Sequence, residues 1–197
     1  MIDFAALRAQ ARANPLFRYG MGLAALVFVL DQISKYLVLG LLQFSPPGCR
    51  EQGLGCGHID ISPFFDLRMV WNLGISFGLF RAETEIVRWL LVLVAFAIAG
   101  FFGWWLLSAS RRLTAIALGL VVGGALGNVI DRIRFGAVAD FLDFNGLWFP
   151  WVFNVADAGI SVGAVLLAAD FLLHGEEKAP GKTGAGDTSP QNGQDRG

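Results

Sequence analysis

Two aspartates, Asp140 and Asp157, flank an aromatic-rich connector in the stretch VADFLDFNGLWFPWVFNVADAG. Two carboxyl groups that are held close together do not both ionise readily, so one of them keeps its proton. The ionised carboxylate can then deprotonate a water molecule while the protonated carboxyl polarises a carbonyl group. The pair therefore predicts acid–base hydrolysis, provided that the fold brings the two side chains together, which their spacing alone does not establish.

Asn154 and Asp157 also suit a purely structural interpretation. They lie three positions apart at the start of an apolar segment. Asparagine is a preferred N-cap residue, and the helix dipole stabilises an acidic side chain in the first turn. The two residues thus predict the start of a helix, whether or not Asp157 also takes part in chemistry.

Other reaction centres and ligand sites find less support in the sequence. Ser76 has no histidine in its region and His58 has no obvious partner, so a nucleophile paired with a base is not indicated. Glycine motifs that cradle phosphate are absent. Cys49 and Cys56 match no four-ligand zinc site, and His58 lies too far from His174 along the chain to help complete one. We therefore expect neither a metal nor a cofactor.

The composition indicates the kind of structure that must position these residues. Hydrophobic residues make up 55% of the chain and charged residues only 16%, whereas soluble domains average about 45–50% and roughly 25%. Four apolar blocks approach or exceed the length of about 20 residues that spans a bilayer. The sequence thus predicts a mainly α, polytopic membrane protein with four transmembrane helices. The blocks run from Tyr19 to Leu42, from Ile86 to Leu107, from Leu113 to Ile130 and from Trp151 to Leu173.

Arginine and lysine residues predict the orientation of this four-helix membrane domain, residues 19–174. They are present in the N-terminal segment (residues 1–18), in the short second connection and in the tail (residues 175–197), and such residues favour the cytoplasmic side. Both termini are therefore expected in the cytoplasm, and the tail, rich in glycine, proline and charge, is expected to be disordered. A net charge of −1 without a basic tract argues against a nucleic-acid partner.

The first connection, about residues 43–85, is expected to face outward and to contain a strand. Between Phe65 and Gly74 apolar and polar side chains alternate, which indicates a strand with one apolar face. We expect a small extracytoplasmic sheet on the membrane surface. Cys49 and Cys56 lie seven positions apart beside proline and glycine; a disulfide is possible on the oxidising side, and two free thiols are the alternative.

Polar residues inside the apolar blocks require partners within the protein. Asp31 and Lys35 are four positions apart on one helix face, and such a pair normally faces the protein interior. We favour a structural brace over a catalytic pair, and we expect this block to persist as a helix and not to be cleaved as a signal peptide. Asn128, Asp131 and Arg132 predict a hydrogen-bonded network that caps the end of the third helix, again in preference to catalysis.

Small and aromatic residues predict how the helices pack and where the connector lies. Gly119, Gly123 and Gly127 recur every four residues and form a smooth face for close helix packing. Trp148 and Trp151 are candidates for the membrane interface, where tryptophan is enriched.

Several blocks in order resemble bacterial lipoprotein signal peptidase, also called signal peptidase II: DQISK, NLGISFG, GGALGNVIDRIRFGAVADF and FNVADAG. The resemblance covers about residues 30–158. It implies an aspartic endopeptidase of the inner membrane. In the orientation that the basic residues predict, Asp140 and Asp157 lie at the outward ends of the third and fourth helices, toward the extracytoplasmic side. Such enzymes remove signal peptides from prolipoproteins by cutting before a cysteine that carries a diacylglyceryl group. The implied partners are this lipid-modified substrate and membrane lipid, and a monomer is expected.

The resemblance also assigns residues to the site. The family's catalytic aspartates correspond to Asp140 and Asp157. We expect Asn72 and neighbouring backbone groups to bind the peptide, and Asp31 to support the site through Lys35 or the nearby loops. The longer first connection and the tail depart from the shortest members of the family. The positions expected to bind substrate or support the site are Asp31, Lys35, Asn72, Gly74, Asn128, Asp131, Arg132 and Asn154.

The competing class is a non-enzyme, either a small proton-coupled transporter or a membrane assembly factor. Transporters tend to place ionisable groups near the midplane, often in two repeated halves. Here the acids cluster toward one end of the helices, and no repeat relates the first two blocks to the last two. A structural membrane subunit would leave the acids and asparagines of the connector unexplained.

Overall fold

The computed structural model describes residues 3–45, 48–49, 57–74 and 85–174. Within these ranges four helices are long and apolar enough to cross a membrane, as the composition predicts. A shorter helix, α1 (Phe4–Ala13), precedes them. The four are α2 (Pro15–Tyr36, continued by a π-helical turn over Leu37–Leu41), α3 (Glu85–Leu106), α4 (Arg112–Phe135) and α5 (Val155–His174).

Local signals move two helix boundaries away from the edges of the apolar blocks. α2 begins earlier than expected, at Pro15, because Asn14 is its N-cap and accepts a hydrogen bond from the Leu16 N–H at 2.9 Å. Proline also suits the first position of a helix. α5 begins later than expected, at Val155, because residues 152–153 pair with a neighbouring strand instead.

The third long helix, α4, extends past its predicted end. It runs to Phe135 and stops at Gly136, which has a φ of 73° and donates its N–H to the carbonyl of Arg132 at 3.0 Å. A left-handed glycine is a common way to end a helix. The last turns of α4 therefore carry Asn128 and Asp131 directly to the start of the next strand.

A four-stranded antiparallel sheet lies where α4 ends and α5 begins. Its strand order is β1-β2-β3-β4. The second strand confirms the one predicted from alternating side chains. The strands are β1 (Gly57–Ser62), β2 (Phe65–Asn72), β3 (Val138–Asp143) and β4 (Val152–Phe153).

One face of this sheet packs over the end of α2. Met69 and Trp71 of β2 form a buried cluster with Ala139 and Phe141 of β3 and with apolar residues of the π-helical turn. Because side chains alternate along a strand, Asp140 points to the opposite face. The sheet therefore anchors β3 on one side and presents an aspartate on the other.

α4 is the central helix, and its glycines let α2 approach closely. In α4, 72% of the apolar segment is buried, against 17–28% in the other three. A Cβ atom on Gly123 would lie 2.9 Å from the Cα of Ala24, and one on Gly127 would lie 3.1 Å from the Cγ of Asp31. A side chain at Gly119 would collide with the α2 backbone. The predicted glycine face is thus where α2 packs.

Replacing Gly123 by alanine is expected to destabilise the protein. The added methyl group has no room against Ala24, so α2 and α4 must separate, and overpacking of this kind costs about 1–3 kcal/mol. Thermal unfolding in detergent should show a lower Tm, by about 2–4 °C for each kcal/mol. The matched control is Gly103→Ala on α3, where a Cβ meets nothing within 4 Å. Equal Tm values for the two variants would contradict the expectation.

Candidate active site

The fold brings Asp140 and Asp157 to one cavity of about 650 Å³. Asp140 lies on β3 and is only 2% exposed, whereas Asp157 lies in the first turn of α5 and is half-buried. Aromatic and apolar side chains of the connector and of α5 complete the cavity wall. Two carboxyl groups from different elements therefore face the same space, as acid–base hydrolysis requires.

Asp140 is held by two asparagine side chains. The Asn154 Nδ2 donates to Oδ1 at 2.7 Å, and the Asn72 Nδ2 donates to Oδ2 at 3.0 Å. Burial raises the pKa of the Asp140 carboxyl well above its ordinary value of 3.8, because the charged form loses its water, and the nearby charge of Asp157 raises it further. The two asparagine hydrogen bonds oppose this shift only in part.

Asp157 takes part in the start of α5 and lines the cavity as well. Its N–H donates to the Asn154 Oδ1 at 2.8 Å, and the Asn154 N–H lies 3.4 Å from its Oδ2. This reciprocal contact is a capping-box arrangement, so the structural interpretation of the two residues is correct. The Asn128 Nδ2 also donates to the Asp157 Oδ1 at 2.7 Å. The helix start and the candidate site thus share one side chain.

Asp31, Lys35 and Asp131 form a buried triad beneath the two aspartates. The Lys35 Nζ lies 2.8 Å from the Asp31 Oδ2 and 2.7 Å from the Asp131 Oδ2, and the three side chains are at most 3% exposed. The Asp31 Oδ1 accepts the N–H of Ala156 at 2.9 Å, and the Asp131 Oδ2 accepts the N–H of Ala139 at 3.2 Å. Each acid of the triad therefore holds the backbone directly before one of the cavity aspartates.

The end of α4 differs from the predicted capping network. Asp131 bonds to Lys35 and not to its neighbours, while the Arg132 guanidinium lies 3.5 Å from the Asn128 carbonyl and 3.3 Å from the Gly74 carbonyl. Its positive charge is close enough to interact with both cavity aspartates. Asp131 and Arg132 lie three and four positions after Asn128, and each has a different partner. Their spacing in the sequence did not show which partner each would have.

Gly74 connects β2 to this cluster. Its N–H donates to the Asn72 Oδ1 at 3.0 Å, which leaves the Asn72 amide nitrogen facing Asp140. Residues 75–84, which include the rest of the NLGISFG block, lie outside the described residues.

Two contributors were missed by the sequence reasoning. Arg88 of α3 donates to the carbonyls of Arg132 and Ile133 at 2.9 and 2.8 Å, and so satisfies the exposed carbonyl end of α4. The Gln32 side chain lies within 3.3 Å of both acids of the triad. The sequence did contain clues to both residues. Arg88 is a positive charge in the first turn of an otherwise apolar helix, and Gln32 directly follows Asp31.

Cys49, His58 and His174 lie apart from these contacts. Cys49 is buried under the sheet, but Cys56 lies outside the described residues, so their disulfide stays a prediction. His58 does have partners, contrary to expectation: its Nε2 lies 3.1 Å from Asp60 and 3.5 Å from Asp66. The cross-strand pairing of Asp60 with Asp66 creates this arrangement, which sequence spacing did not reveal.

Comparisons with known proteins agree with one another. Among solved structures, a bacterial membrane enzyme matches with a TM-score of 0.67 and 22% identity, over 81% of this chain and 91% of that chain, which supports the fold. A lipoprotein signal peptidase of Rhizorhabdus wittichii is 46% identical over 173 residues, 86% of this chain and 95% of that protein. One of Caulobacter vibrioides is 45% identical over 162 residues, 82% of this chain and 90% of that protein. The family model for signal peptidase II matches residues 23–173, and the chain therefore belongs to the signal peptidase II family.

Proposed function

We propose that this protein is a membrane aspartic endopeptidase that removes signal peptides from prolipoproteins, cutting before a cysteine that carries a diacylglyceryl group. The observation that carries the proposal is that Asp140 and Asp157 line one cavity with their carboxyl groups held by asparagine amides. The names of the relatives, lipoprotein signal peptidases, supply the substrate class. These relatives match most of the chain, so a proton-coupled transporter or an assembly factor is not favoured.

The different surroundings of the two aspartates suggest their roles. Asp140 is buried with a raised pKa, which suits a carboxyl that holds the proton at rest. Asp157 is half-buried at the N-terminus of α5, where the helix dipole and the Asn128 amide favour a negative charge. We therefore assign Asp140 as the acid and Asp157 as the base.

In this mechanism Asp157 takes a proton from a water molecule, whose oxygen attacks the scissile carbonyl carbon. Asp140 gives its proton to the carbonyl oxygen, so that a neutral tetrahedral diol forms. When the C–N bond breaks, Asp157 returns its proton to the leaving nitrogen and Asp140 recovers one from a diol hydroxyl. Each carboxyl ends in its starting state, and water has been added across the peptide bond.

The asparagines keep the two carboxyl groups in fixed positions throughout this cycle. Asn154 contacts both aspartates, through its side chain to Asp140 and through its backbone to Asp157. The Asn72 side chain, on β2, donates to the other carboxyl oxygen of Asp140, Oδ2. A reacting pair that is already oriented gains rate because little ordering remains to be done in the transition state.

The cavity wall suits a substrate that arrives from the bilayer. Phe149, Trp151 and Phe153 of the connector and Ile160 and Val162 of α5 line it, and α5 exposes large apolar side chains along its outer surface. A lipid-anchored peptide is confined to the membrane, so it approaches from the side. We propose that the acyl chains stay in the bilayer beside α5 while the peptide crosses the cavity.

We further propose that the protein lies in the bacterial inner membrane with both termini in the cytoplasm and the site facing outward. Two arginines, Arg111 and Arg112, lie where α4 begins, at the end opposite to the sheet. The start of α2 lies at that same end, since the Asn14 side chain donates to the carbonyls of Leu107 and Ala109 at 2.9 and 3.0 Å. Basic residues there favour the cytoplasmic side. A monomer with residues 175–197 as a cytoplasmic tail completes the proposal.

Changing either Asp140 or Asp157 to asparagine is expected to abolish cleavage. Each variant loses one proton-transfer group, a loss of about 10²–10⁴-fold or more. The assay incubates the purified protein with a diacylglyceryl-modified prolipoprotein and, in parallel, with its unlipidated form, and only the first should release signal peptide. The matched control is Asp170→Asn, a buried aspartate that accepts from the Thr114 hydroxyl at 2.6 Å, and it should stay active. Full activity in either site variant would refute the dyad.

The raised pKa of Asp140 predicts a pH-dependent stability. Between 3.8 and its higher value in the folded protein, the native state keeps a proton that the unfolded chain has released. Stability must therefore fall as the pH rises through that window. Thermal unfolding in detergent from about pH 4 to pH 8 should show this decline in the wild type, and Asp140→Asn should lack that component. Identical slopes in the two proteins would contradict the assignment of the proton to Asp140.

A further inference from the structure

We propose that Lys35 is a positioning residue for the dyad, because it orients the Asn128 amide so that the NH₂ group faces Asp157 and keeps that aspartate anionic. The inference rests on the proposed peptidase function and deepens it. It gives the buried lysine a role in the reaction that goes beyond bracing a helix.

The orientation of the Asn128 amide follows from the groups around it. One end of the amide must be oxygen and the other NH₂, and the hydrogen-bond partners decide which is which. The Oδ1 end lies 3.4 Å from the Lys35 Nζ and 3.2 Å from the Asn154 Nδ2, and both of these groups donate. An ammonium group has no acceptor, so this end is oxygen. The NH₂ end is then the one that lies 2.7 Å from the Asp157 Oδ1.

Asn128 differs from the other two asparagines of the site. The oxygen of Asn72 faces the Gly74 N–H, and the oxygen of Asn154 faces the Asp157 N–H. Backbone donors fix those two amides, and no side-chain substitution removes them. At the oxygen of Asn128, by contrast, both donors are side chains, the Lys35 ammonium and the Asn154 amide, and only the first is charged.

The triad keeps Lys35 in place as a cation. Its Nζ touches carboxylates of Asp31 and Asp131 at 2.8 and 2.7 Å with almost no exposure. Removing the lysine alone would leave two buried acids without a counter-ion, a strongly destabilising change. A test must therefore remove the lysine together with one of its acids.

Several charged groups surround Asp157 and bear on its ionisation. Arg132 is positively charged, and Asp140 is assigned the proton. The charge of Lys35 lowers the pKa of the Asp140 carboxyl, so removing the lysine strengthens the hold of Asp140 on that proton. The groups are Asp140 on β3, Asp131 and Arg132 on α4, and Asp31 and Lys35 on α2.

The first test compares Lys35→Met/Asp131→Asn with the wild type and with Asp131→Asn alone. The double variant keeps the triad's net charge at that of the wild type and keeps an oxygen at position 131 for the Ala139 N–H. The single variant keeps the lysine. Relative to wild type, the acid limb of the pH profile of kcat/KM should move to higher pH by about one unit in the double variant. The reason is that the Asp157 carboxylate loses the oriented Asn128 amide as a hydrogen-bond donor. A lower rate with an unmoved limb would overturn the proposal.

A second variant covers the case in which the double variant does not fold. Asn128→Leu removes the donor and leaves the triad intact, so its acid limb should move in the same direction relative to wild type. Asp170→Asn, remote from the cavity, should leave the limb where it is. An unmoved limb in a folded Asn128→Leu protein would also overturn the proposal.

A third measurement does not depend on cleavage. Infrared difference spectra of protein labelled with ¹³C-aspartate, with Asp157→Asn subtracted, report the carboxylate band of Asp157 directly. On acidification this band should persist to lower pH in wild type than in Lys35→Met/Asp131→Asn, and Asn128→Leu should shift it in the same direction. If the wild type fails to cut lipidated prolipoprotein while the band still shifts in the double variant, the proposed function is wrong and the positioning role stands. If the band titrates identically in the wild type and the double variant, the positioning role is wrong.

Discussion

The site depends on one buried electrostatic arrangement, the triad of Asp31, Lys35 and Asp131. Its two acids each hold the N–H that precedes a cavity aspartate, at Ala156 and at Ala139. Taking these charges out of water costs several kcal/mol per ion, and only close pairing with further hydrogen bonds offsets that cost. The triad therefore contributes little net stability, and its main effect is to position other elements. It connects α2 and α4 to the starts of β3 and α5.

This arrangement requires a central helix with almost no side-chain bulk on one face. A Cβ at Gly127 would meet the carboxylate of Asp31, and one at Gly124 would meet the backbone of α5. In a membrane, helices associate through close packing because lipid already surrounds apolar surface. The glycines of α4 thus have two effects, since they let the helices approach and leave space for the charges between them.

The two aspartates differ because they come from different kinds of element. Asp140 sits on a strand whose other face is packed, so it is buried and loses its water. Asp157 lies in the first turn of a helix whose dipole favours an anion. One fold thereby gives two identical side chains unlike environments, and the proposed assignment of the proton to Asp140 rests on that difference. The same pattern explains why Asn154 was predictable as an N-cap, from local spacing, while its contact with Asp140 was not.

Features that depend on neighbours along the chain were determined by the sequence itself. Four apolar blocks gave four membrane-length helices, alternation gave β2, and the glycine period gave the packing face, because hydropathy and side-chain period act locally. The motif blocks pointed to the family and to both aspartates. Only the tertiary structure decided that Lys35 joins Asp131 as well as Asp31, that Arg88 closes the end of α4, and that residues 152–153 form a strand. Those contacts join residues far apart in the chain, and their free energy exists only once α2, α4 and the sheet have packed together.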